Sequence, residues 1–125
     1  MGLDMYAFST KAKPQTEVDF ETKNFQPEEV YYWRKHPNLH GWMQNLYEKK
    51  GGTSDSFNGD CVILTEFDLE ILEEDIKNNN LPDTSGFFFG QSSNNDEEND
   101  YDLAFVTKAR EVITNGKTVY YTSWW

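Results

Sequence analysis

"PEEVYYWRKHPNLHGWM", residues 27–43, crowds two tryptophans, two histidines, an arginine and a lysine around Pro37. Pro27 followed by Glu28 and Glu29 is a favourable helix start, because proline suits the first turn and carboxylates suit the positive end of the dipole. On that reading residues 27–35 form a short helix. Pro37 has no amide to donate and disfavours helix at His36, so the chain breaks there and a second helix starts. In it Leu39, Trp42, Met43, Leu46 and Tyr47 recur at the spacing of one buried stripe. Lys49 and Lys50 suit its negative end, and Gly51 can take the left-handed cap.

Upstream, "LDMYAFS" (3–9) alternates with period two and reads as a strand, and "EVDFETKNF" (17–25) as a weaker one. Downstream, "CVIL" (61–64) is an apolar strand. Thr65 and Asp68 have the spacing of a capping box, opening a helix over 66–77 that buries Leu69, Leu72 and Ile76. "SGFFFG" (85–90) reads as a short strand between turns, and residues of about 91–101 as an exposed acidic loop. "DLAFVTKAREVITNG" (102–116) is a further helix, and "KTVYYTSWW" alternates to the end as a strand. The expected fold is α+β: one domain over 1–125, with a small, mostly antiparallel sheet and about three helices on one face.

The apolar fraction is only 37%, but 9 Phe, 7 Tyr and 4 Trp can fill a core. Each such ring buries about 150–250 Å² when enclosed. The net charge of −11 is uneven: residues 51–105 hold fourteen acids against one base, Lys77. Such a surface repels nucleic acid and anionic membrane and attracts a basic partner. Cys61 stands alone in an apolar run, so an inert thiol in a reducing, cytoplasmic setting is expected. No stretch approaches the roughly 20 apolar residues of a membrane span.

Two regions are candidate ligand contacts. A helix restarting at Pro37 would gather Arg34, Lys35, His36 and His40 near exposed amides, an arrangement suited to an anion, with Trp33 and Trp42 able to stack a planar ring. In "SGFFFG", Ser85, Gly86 and Phe88 could wall the same pocket, and Arg110 could add a further cation. The competing reading makes the tryptophans core and pairs Arg34 with a carboxylate. Two histidines are too few ligands for zinc, and "DEENDYD" lacks the glycine and closing glutamate of a calcium loop. No metal or cofactor is expected, and no nucleophile motif marks an enzyme.

"MGLDMY" (1–6), "YWRKHPNLHGW" (32–42), "LP" (81–82) and "SGFFFG" (85–90) together resemble a group of small phage and bacterial proteins that carry MGLDMY, YWRK-x-x-x-x-H-x-W and LP-x-x-SGFFFG in this order. Such proteins are sometimes called phosphoglycerate kinases. This chain is too short for a two-domain kinase and has no GxxxxGK[ST] loop. The resemblance implies a phage-linked accessory protein acting in the host cell.

Two functions follow as expectations. The first is sequestration of a small anionic ligand such as a nucleotide. The second is inhibition of a host nucleic-acid-binding protein by an acidic face that includes Glu66, Glu70, Glu73, Glu74, Asp96, Glu97 and Glu98. A small nucleotide-converting enzyme ranks third.

Overall fold

The alternation near the N-terminus becomes β1 (Asp4–Thr10), and the alternation at the C-terminus becomes β4 (Thr118–Trp124). They pair antiparallel from Asp4↔Trp124 to Thr10↔Thr118. With β2 (Glu28–Arg34) and β3 (Cys61–Leu64) they form a four-stranded antiparallel sheet of order β2-β1-β4-β3. Three helices, α1 (Pro37–Lys49), α2 (Glu66–Lys77) and α3 (Asp96–Thr114), complete an α+β fold. The computed structural model describes residues 2–86 and 89–125.

Residues 28–34 are a strand, not the helix their opening proline and glutamates suggest. Val30, Tyr31, Tyr32 and Trp33 are β-branched or aromatic, types that fit a pleated, half-buried surface. The ladder jumps from Ala7↔Tyr31 to Phe8↔Glu29, leaving Val30 as a bulge. The bulge shifts the side-chain phase, so Val30 and Trp33 are both buried although three residues apart.

The strand expected over 17–25 is reduced to a single bridge, Val18↔Val62. Ile63 N–H donates to Glu17 O (2.8 Å), and Asp19 N–H to Cys61 O (3.3 Å). This segment covers the free edge of β3, which would otherwise be open to pairing. The strand expected in "SGFFFG" falls on Phe87 and Phe88, outside the described residues; Phe89 N–H donates to Gly86 O (3.2 Å) in a turn. The acidic loop expected at 91–101 is helical from Asp96. Asn95 caps α3 by accepting from Glu98 N–H, and the carboxylates of Asp96, Glu97 and Glu98 sit at the positive end of the dipole.

One sheet face and the helices share a core. Met5, Ala7, Val62, Leu64, Val119 and Tyr121 meet Leu39 and Met43 of α1, Leu69, Leu72 and Ile76 of α2, and Phe105, Val106 and Ala109 of α3. The opposite face carries a separate aromatic layer, in which Phe20 and Phe25 of the loop cover Tyr120 and Phe8 stacks with Tyr6. Both ends of the chain therefore contribute strands to the middle of the sheet.

The capping box of α2 is formed as the sequence predicts: Asp68 N–H donates to Thr65 Oγ1 (3.2 Å), and Thr65 N–H to Asp68 Oδ2 (2.9 Å). Thr65→Ala is expected to lower unfolding free energy by about 1 kcal/mol, read by urea denaturation. A loss below about 0.3 kcal/mol would show that Lys50, which also donates to Asp68, holds the helix start by itself.

Candidate functional site

Lys35 turns the chain out of β2 with φ +54°, its amide donating to Leu3 O (2.8 Å). His36 follows as the residue capping α1, with no side-chain bond to its own helix. The cap is supplied from afar: Ser92 Oγ accepts from Asn38 N–H (3.1 Å). Asn38 in turn accepts from Thr84 N–H (3.0 Å) and donates to Asn94 Oδ1 (3.2 Å). Thr84, Ser92 and Asn94 thus close over the helix start, and the Asn38 amide is already taken by Ser92 rather than open to an anion.

His36 itself is buried. Its Nε2 lies 2.7 Å from Asp102 Oδ2 and its Nδ1 2.7 Å from Ser92 Oγ, while Glu98 Oε2 is 3.6 Å away. Trp33 Nε1 donates to the other Asp102 oxygen (3.0 Å). A carboxylate that is 1% exposed therefore ties β2, the start of α1 and α3 together. Such an arrangement satisfies each buried polar group that it contains.

His40 lies in different surroundings. It is fully buried, with its ring about 5 Å from those of Phe57 and Phe89, and Nδ1 is hydrogen-bonded to the Tyr121 hydroxyl at 2.7 Å. Nε2 has no partner. Burial pushes its pKa down to about 4 and raises that of Tyr121 well above the usual value, so both are neutral at pH 7. A neutral, enclosed imidazole offers no charge to an anion.

The expected cations are dispersed. Arg34 is more than half exposed, with Nε 3.9 Å from Asp4 Oδ1. The aliphatic stem of Lys35 runs beside Gly2 and Gly90. Arg110 pairs with Glu73 (3.0 Å) between α3 and α2. Trp42 faces α2 and donates to Asp75 Oδ2 (2.8 Å). Ser85 and Gly86 are exposed, and Phe88 lies outside the described residues. The neighbouring Gly41 packs against Thr84 so closely that an added Cβ would collide with the threonine side chain.

Two concavities border these residues. A cleft of about 390 Å³ brings Trp33, Arg34 and His36 together with Tyr32 and Tyr101, but Glu97, Glu98 and Asp102 line it too. Its charge balance is acidic. A groove of about 570 Å³ between α1 and α2 is mainly apolar, lined by Trp42, Leu46, Phe67, Ile71, Asp75 and Pro82 among others. Phe67 is 69% exposed and Ile71 38%.

The acids of the second expectation lie on α2 and the first turn of α3. Asn99 Nδ2 donates to Asn79 Oδ1 (2.9 Å), bringing that turn beside the end of α2. Glu73 is spent on Arg110 and Lys77, and Glu98 accepts from Ser93 and Asn94 amides. Among the described residues, Glu66, Glu70, Glu74, Asp96 and Glu97 have no ion-pair partner. No three His, Cys, Asp or Glu side chains converge as a metal site among the described residues. Burial moves the Cys61 thiol up to about 11, which keeps it protonated. No helix among them is long and apolar enough to cross a membrane.

Sequence reasoning missed Asp102 and Ser92, which stand 66 and 56 residues from His36, and no local signal joins them. It also missed Phe67 and Ile71, for which a signal exists: they sit four apart, off the stripe of Leu69, Leu72 and Ile76. Compared with family models, curated proteins and solved structures, the chain matches none.

Proposed function

We propose that this protein is an accessory binding protein that takes a basic protein partner on its acidic helical side. The single observation that carries the reading is the separation of charge. Arg34, Lys50, Lys77, Arg110 and Lys117 are each paired with a carboxylate of this chain, while five carboxylates of α2 and the start of α3 have no counter-ion among the described residues. Such a surface accelerates encounter with a positive partner and excludes nucleic acid. In the phage setting implied by the sequence resemblance, the fitting target is a host nucleic-acid-binding protein whose basic surface is occupied in place of phosphates.

The test is capture of host proteins on the immobilised chain, comparing wild type with Glu66→Gln/Glu70→Gln/Glu74→Gln. The wild type should retain a basic protein that salt or added duplex DNA displaces, and the variant should lose it. Retention of the same protein by the variant, with unchanged salt sensitivity, would sink the reading.

Sequestration of a small ligand is the second reading, favoured by the cleft that joins Trp33, Arg34 and His36. Native mass spectrometry of the protein purified from its host would display a retained molecule, lost on Arg34→Ala.

A further inference from the structure

The groove between α1 and α2 has walls of unlike character. On α1, Trp42 and Leu46 give it an apolar side that ends at Lys49. On α2, Phe67 and Ile71 project from a helix whose i+3 neighbours at those positions are Glu70 and Glu74, with Glu66 one residue ahead of Phe67. The floor is fixed, because Trp42 donates to Asp75 and Lys50 pairs with Asp68 and Glu17. Phe67, at 69% exposure, contributes little to the core of its own molecule. Large apolar side chains exposed beside a groove mark a contact surface more often than isolated ones do.

We propose that this groove seats an amphipathic helix of a partner protein, whose apolar side enters between Trp42, Leu46, Phe67 and Ile71 and whose basic residues run along the α2 edge. This inference rests on the acidic-side reading above and assigns it a place and a binding mode. Charge complementarity selects the occupant. The exposed carboxylates Glu66, Glu70 and Glu74 stand four residues apart on α2, outside the groove and next in sequence or one turn from Phe67 and Ile71 that line it. Lysines or arginines at the same helical spacing on a seated helix can therefore reach them. Lys49 stands toward the α1 side and disfavours a basic residue there, which orients the helix. A second copy of this chain is a poor occupant, since two molecules of net charge −11 repel each other.

The probe is a fluorescein-labelled peptide of leucine and lysine in amphipathic helical order, titrated with the full chain and read by fluorescence anisotropy. A scrambled peptide of identical composition is the control. The ordered peptide should bind at least about tenfold more tightly than the scrambled one. Phe67→Ser/Ile71→Ser should erase that preference without altering the circular dichroism, because both side chains are exposed. Glu66→Gln/Glu70→Gln/Glu74→Gln should weaken binding of both peptides. Equal, salt-sensitive binding of the two peptides would overturn the groove while leaving the acidic-side reading intact. Binding of neither would overturn both.

Discussion

Asp102→Ala is expected to cost about 2–5 kcal/mol of unfolding free energy, because each of two buried donors left without an acceptor costs about 1–3 kcal/mol. Domains of this kind are stable by only about 5–15 kcal/mol, so the variant stands near the limit of folding. The reason is geometric. One carboxylate serves Trp33 Nε1 and His36 Nε2, both buried, and its removal leaves two polar groups without acceptors. Asp102→Asn keeps the shape and an acceptor for Trp33 while losing the charge, and should lie between the two. Urea denaturation followed by tryptophan fluorescence reads all three proteins. A loss under about 1 kcal/mol for the alanine variant would mean that His36 and Trp33 regain partners by a small rearrangement.

Acidification should expose His40 in the same assay. Its ordinary value is 6.5 and its folded value about 4. Above pH 6.5 the imidazole is neutral whether the chain is folded or not, and the stability is whole. Between 6.5 and 4 the unfolded chain takes up a proton that the folded chain refuses. Stability then falls by about 1.4 kcal/mol per pH unit, to a total near 3 kcal/mol. Carboxylates titrate at the lower end, so the informative window is pH 5–6.5, and the comparison is with His40→Gln. That variant is less stable at every pH, but its slope in this window should be flatter than that of the wild type by the contribution of one proton. Identical slopes would show that water reaches Nε2 and that the cage of Phe57, Phe89 and Tyr121 opens.

Both results bear on how the molecule works. The residues with the most chemical character in the sequence, His36 and His40, are committed to holding α1 against α3 and the sheet. The outer side of α2, by contrast, carries charge and exposed apolar surface together, in Phe67 and Ile71 beside Glu66, Glu70 and Glu74.

Periodicity in the sequence determined β1, α1, α2 and β4, with a capping box that acts within four residues for α2, and a short continuous apolar run determined β3. It determined the charge separation as well, since helix surfaces inherit their charges directly. Other features were settled only when the chain closed on itself. Pro27 with Glu28 and Glu29 imitates a helix start; pairing with β1 makes the segment a strand, and a bulge there puts Val30 and Trp33 on one buried face. The edge of β3 turns residues 17–19 into a cover instead of a strand. The cations around Pro37 look like one cluster along the chain, yet Lys35 at positive φ and the distant carboxylate of Asp102 send His36, His40 and Arg34 into three environments. Local order follows from interactions between near neighbours, whereas phase across a sheet and the partner of a buried charge depend on residues that only folding brings within reach.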